Sequence, residues 1–580
     1  MNIYLKYIKP NIHFYILAPL LMLVEVYCAL QIPTLSAHIL NKAVLEDDLG
    51  AIYKIALLML VVVICAVLSG VAASYCATRA AVDFAHDIRE EVYSKIQGFS
   101  FSNIDKFSTG SLITRLTNDI NQLQQMVIMS LRMAIRAPGM LVGSLLMALS
   151  INRKISIVFI ILIPILATVI ILVLYCSYRK FKVLQTKIDA INIAVKEVVT
   201  NIRVMKAFTR EKYEKHKFES ANNELLDINL ETQRIQILQS PCMVLCINIA
   251  TIVVLWMGNK AIGNKEILIG DLSALLSYLT SILLSINMLA MIFMNMTRAF
   301  VSGERIKELL EEEIDIKDLA SEGISKKIET GSIRFESVDF KYFEKSEEKV
   351  LRDINIEIEA GQTVGIIGPT GCGKTSFVHL IPRLYDVTSG AVYIDGINVK
   401  DYSLKDLREG ISIVLQNNLL FSGSIYENLI WGDENATEKE IKLAQKYAVA
   451  EEFIQEKVDG IEAHIEQGGK NFSGGQKQRL CIARALVKKA KILILDDSTS
   501  ALDMETERKI KGYFDENLKG ITKLIIAQRI TSIKMADQII VLNEGRLEAA
   551  GTHEELLKGS KTYQEIYYSQ SEQEAVEDGK

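Results

Sequence analysis

The sequence predicts a two-part chain: a membrane half of six α-helical crossings, followed by an α/β domain. Three observations predict it. Apolar runs crowd residues 11–300, whereas residues 325–580 have the mixed composition of a soluble domain. Six of the runs are long enough for a bilayer core, which needs about 20 apolar residues. The octet Gly368-Pro369-Thr370-Gly371-Cys372-Gly373-Lys374-Thr375 follows the apolar run Val364–Ile367 and precedes a helix-like stretch. That is the setting of a phosphate-binding loop between a buried strand and a helix. At 580 residues the chain is also too long for one compact domain.

The crossings fall at 12–40, Ile55–Thr78, 126–150, Ile155–Cys176, 241–262 and Leu272–Thr297. Buried soluble helices do not reach such length in such number. Lys6 and Lys9 precede a long apolar stretch without a small-residue cleavage site, so the first crossing reads as an anchor and not a removable signal. Loops after the first, third and fifth crossings are short. Segments 76–125 and 177–240 are long, polar and helix-compatible, so short and long loops alternate sides. Segment 177–240 carries twelve Lys or Arg, which favours the cytoplasm. The charged stretch Glu304–Lys327 then links the halves. The expected division is a membrane domain over 1–310, a linker over 311–330, a nucleotide-binding domain over 331–570 and an acidic, disordered tail over 571–580.

Three intramembrane charges stand out. Glu25 in the first crossing is either a functional carboxylate or one satisfied by an interhelical or water contact. Arg132 and Arg136 share a face of the third crossing and either line a cavity or mark its cytoplasmic mouth. A net charge of −5 gives no sign of nucleic-acid binding, and the eight Cys lack metal-ligand spacing. Cys242 and Cys246 read as packing residues of an apolar helix.

In the second half, the glycines of the octet let backbone N–H groups wrap phosphates, and the following helix adds positive potential. Lys374 would reach the β- and γ-phosphates and Thr375 would ligate Mg²⁺. Lys491-Ile492-Leu493-Ile494-Leu495-Asp496-Asp497 reads as a central parallel strand ending in acid, with Asp496 placed to hold Mg²⁺. Phe472-Ser473-Gly474-Gly475-Gln476 opens a helix over Gln476–Val487, whose start suits an anion.

Taken with Phe340-Lys341-Tyr342, Gln416 at the end of Ile411–Leu415, and Ser500-Ala501-Leu502-Asp503, the order and spacing resemble the ATP-binding-cassette (ABC) transporters, in their exporter branch. The resemblance spans the chain and implies a type IV exporter-like membrane domain fused to a P-loop ATPase. It implies that Tyr342 stacks on adenine, that Gln416 senses Mg²⁺ and contacts the membrane domain, and that Ser473, Gly474, Gly475 and Gln476 meet the γ-phosphate of ATP held by the opposite subunit. It places short coupling helices near Phe101–Ser108, ahead of Gly110–Asp119, and near Ala207–Lys215 in Asn201–Phe208.

Two positions depart from the family. After the Mg²⁺-binding Asp the family usually has Glu as the base that activates water; here it is Asp497. One methylene fewer draws the carboxylate back by about 1.5 Å, and a misplacement of ~1 Å can cost about 100-fold in rate. After Ile525-Ile526-Ala527, where the family has a His, stands Gln528, which cannot take up charge. This pattern resembles the degenerate-site subunit of heterodimeric bacterial multidrug-type exporters; the alternative is a homodimer in which Asp497 serves as the base. The resemblance therefore implies ATP and Mg²⁺ as cofactors and a second half-transporter with Glu and His at these positions. It also implies a multi-pass cell-membrane protein with its N-terminus and ATPase domain in the cytoplasm. A hydrophobic or amphipathic drug, lipid or peptide is the implied cargo. A lipid flippase and an ATP-gated regulatory or channel subunit are the other readings.

Overall fold

The computed structural model describes residues 2–45, 49–318, 326–343 and 346–578. The chain forms two compact units, Met1–Gln97 with Thr109–Glu312, and Gly98–Ser108 with Glu313–Lys580. The second unit thus takes in a short piece of the first half of the sequence.

Among the described residues of the first unit, six helices are long and apolar enough to cross a membrane: Tyr4–Lys42, Leu49–Gln97, Thr109–Ile151, Arg153–Ser177, Glu211–Gly263 and Ile269–Glu311. They match the six expected runs but extend beyond them. The 49 residues of Leu49–Gln97 rise roughly 70 Å at 1.5 Å per residue, more than twice a bilayer core. On its buried face, Ala73, Ala77, Ala80, Phe84, Ile88 and Val92 recur every three or four residues. Small side chains there let the neighbouring helix approach closely. Arg153–Thr200 starts at Asn152, whose side chain accepts from the N–H of Lys154 and Ile155. It pairs with Glu211–Ile237 through Lys180–Glu231, Lys187–Glu224 and Glu197–Lys217. Partner numbers run in opposite directions, which is an antiparallel hairpin.

Glu25 meets Arg136 across the first and third crossings, Nη2 to Oε1 at 3.1 Å, with the Glu25 side chain only 12% exposed. Glu25 packs beside Gly70 of the second crossing, where any Cβ would lie 3.5 Å from its Cγ. The carboxylate is therefore satisfied between helices. The sequence Gly110–Asp119 contains a π-helical turn, Arg115–Asp119. It turns Arg115 toward Glu308 (2.7 Å) and lets Asp119 accept from Ser302 Oγ (2.7 Å), tying this helix to Ile269–Glu311. The short helix in the second long polar segment is Ile202–Ala207, inside the string Asn201–Phe208 but ending where the expected Ala207–Lys215 begins, because Glu211 already begins the next long helix.

The second unit holds two larger sheets. β1 (Ile333–Phe340), β2 (Leu351–Ile358), β4 (Ser389–Ile394) and β5 (Ile397–Asn398) form an antiparallel sheet in the order β2-β1-β4-β5. β3 (Thr363–Ile367), β6 (Ile411–Val414), β9 (Ile492–Asp496), β10 (Thr522–Ile526), β11 (Gln538–Asn543) and β12 (Arg546–Gly551) form the other, ordered β12-β11-β3-β10-β9-β6. All but β12 run parallel there, and β3, β9 and β10 are almost wholly buried, as continuous apolar runs in a covered parallel sheet must be. β7 (Gly423–Ser424) and β8 (His464–Ile465) make a small ribbon. The final helix continues through Asp578, which corrects the expectation of a disordered tail from Ser571; residues 579–580 lie outside the described residues.

Residues 98–108 are built into this unit. Ser100 and Asn103 cap the helix Phe101–Lys106 reciprocally, and Asn103 Nδ2 donates to the Glu313 carbonyl at 2.9 Å. Tyr385 Oη donates to Asp105 at 2.7 Å.

Candidate nucleotide site

β3, β10, β9 and β6 are parallel neighbours, so their C-terminal ends line one sheet edge, where open α/β sheets take ligands. The loop 368–373 leaves β3, Asp496 ends β9, and Gln416 and Gln528 each stand two residues past a strand end. A cavity of about 650 Å³ gathers Tyr342, Gly368, Pro369, Thr370, Gly371, Gly373, Lys374, Thr375, Gln416, Asp496, Asp497 and Gln528. Residues far apart in sequence thus meet because the strands that carry them are adjacent.

Gly371 and Gly373 have φ of +82° and +98°, a backbone region that suits glycine and exposes successive N–H groups. Lys374 Nζ donates to the carbonyls of Gly368 (2.8 Å) and Pro369 (2.9 Å), so its ammonium lies over the loop. Cys372 is buried, and that burial pushes its thiol above the ordinary range. Tyr342 donates to or accepts from Ser376 Oγ at 2.7 Å and stands edge-on to Phe340 and Tyr385.

Thr375 Oγ1 donates to Asp496 Oδ1 at 3.1 Å. Asp496 is 1% exposed, and its Oδ2 has no hydrogen-bond partner among the described residues. Burial pushes its carboxyl up to about 6, against the pull of Thr375. A hydroxyl beside a carboxylate with a spare oxygen is a hard-oxygen donor set that fits Mg²⁺.

Asp497 follows with φ +49°, a left-handed conformation tolerated by Asp. Its N–H donates to the Ile526 carbonyl at 3.2 Å. Its Oδ2 accepts from Gln528 Nε2 at 2.6 Å. Burial raises this carboxyl, and hydrogen bonds from Gln528 and Gln416 partly offset the rise. The Gln528 carbonyl in turn accepts from Gln570 Nε2 (2.7 Å), whose Oε1 accepts from the Ile530 N–H (2.9 Å). The last helix thereby grips both ends of this loop, and no motif announces it.

Ser473, Gly474, Gly475 and Gln476 are not among the residues that line this cavity. The helix they open runs Gly474–Val487, two residues earlier than expected, because Ser473 is its cap. Ser473 Oγ accepts from the Gln476 N–H, and Gln476 Oε1 accepts from the Ser473 N–H. Gln478, buried in the same helix, accepts from the Ala501 N–H at 3.1 Å and donates to the Asp497 carbonyl at 3.4 Å. It ties the Ser473 helix to Ser500–Asp503 and was not singled out from the sequence.

A phosphate-type loop and a strand-end acid, joined in one chain to six membrane-spanning-capable helices, define a transporter with a built-in ATPase. Two family models match in tandem, the ABC transporter transmembrane region over residues 15–286 and the ABC transporter domain over 351–500. The chain belongs to the ABC transporter family and has half-transporter architecture. It is 38% identical to the uncharacterized ABC transporter ATP-binding protein YfiB of Bacillus subtilis (strain 168) over 99% of both chains. It is 35% identical to the uncharacterized ABC transporter ATP-binding protein MT1311 of Mycobacterium tuberculosis, over 98% of this chain and 97% of that one. The ATP-dependent lipid A-core flippase of Desulfotalea psychrophila is 32% identical over 83% of this chain and 84% of its own. The fold matches a bacterial Atm1-family ABC exporter solved with ATP bound, with a TM-score of 0.79 at 22% identity, covering 97% and 99% of the two chains.

Proposed function

We propose that the chain is one half of an ATP-driven exporter of hydrophobic or amphipathic substrates, paired with a different half-transporter, and that its own site binds ATP but hydrolyses it slowly. The Asp497–Gln528 hydrogen bond carries this reading. A general base needs a free lone pair aimed at water and a group to relay or balance the proton. Here Asp497 is one methylene shorter than Glu, and Gln528, which donates to its Oδ2 at 2.6 Å, neither binds nor releases a proton.

Within the site, backbone N–H groups of Gly368–Thr375 hold the phosphates, Lys374 pairs with their charge and Tyr342 faces adenine. Thr375, Asp496 and Gln416 would hold Mg²⁺, which would supply positive charge to balance that of the phosphates. Ser473, Gly474, Gly475 and Gln476 complete the partner's site, in keeping with their place outside this chain's own cavity. The N-terminus and the ATPase unit are cytoplasmic, supported by the twelve basic residues of 177–240. Steady-state ATPase of the chain alone and of the co-expressed pair tests the proposal. Little turnover alone and restoration by a partner with Glu and His at the two altered positions is the expected result; brisk turnover by a verified homodimer overturns it.

The named activity of the Desulfotalea psychrophila relative favours a second reading, lipid flipping. Proteoliposomes decide between the two. ATP-dependent movement of a fluorescent lipid between leaflets, without dye accumulation, favours the flippase.

A further inference from the structure

His379 stands between two parts of the ATPase unit that no motif connects. It lies on the helix Lys374–Leu380, one turn past Thr375. Its Nε2 is 3.8 Å from Asp496 Oδ2, and both atoms are buried without a hydrogen-bond partner among the described residues. Unpartnered buried polar atoms are rare in native proteins, and here two of them, a nitrogen and an oxygen, face each other. The imidazole ring lies nearly parallel to Tyr385, with centroids 6.3 Å apart and planes 18° apart, and 6.4 Å from the Phe101 ring. Phe101 and Asp105 belong to the helix Phe101–Lys106, and Asp105 accepts from Tyr385 Oη at 2.7 Å. All of these residues belong to one compact unit. Segment 98–108 is also the connection between the long helices Leu49–Gln97 and Thr109–Ile151.

We propose that His379 is a positioning residue for the Mg²⁺ carboxylate, orienting Asp496 according to how the segment Phe101–Lys106 is seated. This rests on the reading that Asp496 holds Mg²⁺. An imidazole carrying its proton on Nε2 donates to Asp496 Oδ2, while Oδ1 stays with Thr375. Closing from 3.8 Å to a hydrogen bond of about 3 Å takes under ~1 Å of ring movement. The ring is held by Tyr385 and Phe101, so a small shift of the 101–106 helix is enough to make or break the contact. Groups that orient a metal ligand commonly change metal affinity by about 10–100-fold when removed.

The test uses the full-length chain in its native assembly in nanodiscs, held cold. Photolabelling of this chain's band by 8-azido-ATP is followed against free Mn²⁺. His379→Phe keeps the ring and removes the donor; it raises half-maximal Mn²⁺ about tenfold while labelling at saturating Mn²⁺ stays intact. His379→Gln restores a donor and returns within about twofold of wild type. Tyr385→Phe, which frees Asp105, shifts the midpoint about threefold on its own and not at all in the His379→Phe background. His379→Leu repeats the donor deletion should the Phe variant misfold. Asp496→Asn separates the two claims. If it leaves the Mn²⁺ dependence unchanged, the metal reading fails and takes the proposal with it. If it raises the midpoint but His379→Phe or His379→Leu does not, Asp496 is a metal ligand and the role given to His379 is wrong. Additive effects of Tyr385→Phe and His379→Phe overturn the link to segment 101–106.

Discussion

Asp497→Asn and Ser473→Arg should have opposite outcomes in the assembled transporter. Asp497→Asn keeps an acceptor for Gln528, which donates to Asp497 Oδ2 at 2.6 Å, and removes only the charge of a carboxylate one methylene shorter than Glu. Turnover should fall no more than about fivefold, against the ~10²–10⁴-fold loss expected from deleting a working base. Ser473→Arg loses the cap that accepts from the Gln476 N–H at 3.3 Å, worth about 1 kcal/mol of local helix stability. It also places a cation and bulk where the Gly474–Val487 helix begins, at the end that favours anions. In the proposed pairing this blocks the partner's γ-phosphate, so ATPase activity and transport nearly vanish although nucleotide still labels the Lys374 loop. Ser473→Ala removes the cap alone and should cost far less, which separates capping from charge. The assay is steady-state ATPase of the purified pair in nanodiscs, one substitution at a time. If Asp497→Asn proves as damaging as Ser473→Arg, the slow-site reading is wrong and Asp497 must be counted as a catalytic base.

Removing either member of Glu25–Arg136 should destabilise the membrane unit, and the double change to Ala should cost less than the sum, with coupling of about 0.5–3 kcal/mol in a thermal-melting cycle; strict additivity would show that the two do not interact. Asp339 accepts from Lys349 at 2.7 Å, which holds its carboxyl at about 2, below its ordinary 3.8. Its native pKa is depressed, so its stabilisation is present above about pH 4 and fades as pH falls toward 2. The melting gap between wild type and Asp339→Asn should therefore narrow over that window, and a constant gap refutes the assignment.

Legibility in the sequence followed the range of the physics. Hydropathy belongs to each residue by itself, so all six crossings could be read without knowing any contact. The loop 368–375 and Asp496 were legible because a phosphate loop and a strand-end acid are contiguous strings, and parallel strand order then forces their convergence. Short helices carry less than two turns of periodicity, so the string Asn201–Phe208 contains Ile202–Ala207 while the expected span Ala207–Lys215 misses its ends. The tail from Ser571 is rich in Glu and Gln, a composition shared by disordered chains and by good helix formers, and helix prevails to Asp578. Glu25–Arg136, His379–Asp496 and Gln570–Gln528 stayed hidden because each partner lies on a different element and no local pattern specifies the pairing.

The same distinction changes how Asp497 and Gln528 should be viewed. In the sequence they are two separate departures from a family pattern. In the structure they touch: Gln528 Nε2 donates to Asp497 Oδ2 at 2.6 Å. Lengthening Asp497 to Glu moves the carboxylate by about 1.5 Å and so changes its contact with the Gln528 amide. Gln528 still cannot take up or release a proton beside it. Asp497→Glu alone should therefore recover little hydrolysis at this chain's site. Gln528→His alone should also recover little, because the shorter carboxylate remains too far back. Together they should restore turnover well beyond the product of the single effects, measured with the hydrolytic site of the proposed partner inactivated. Full recovery by Asp497→Glu alone would mean that carboxylate reach, and not the Asp497–Gln528 pair, sets the rate.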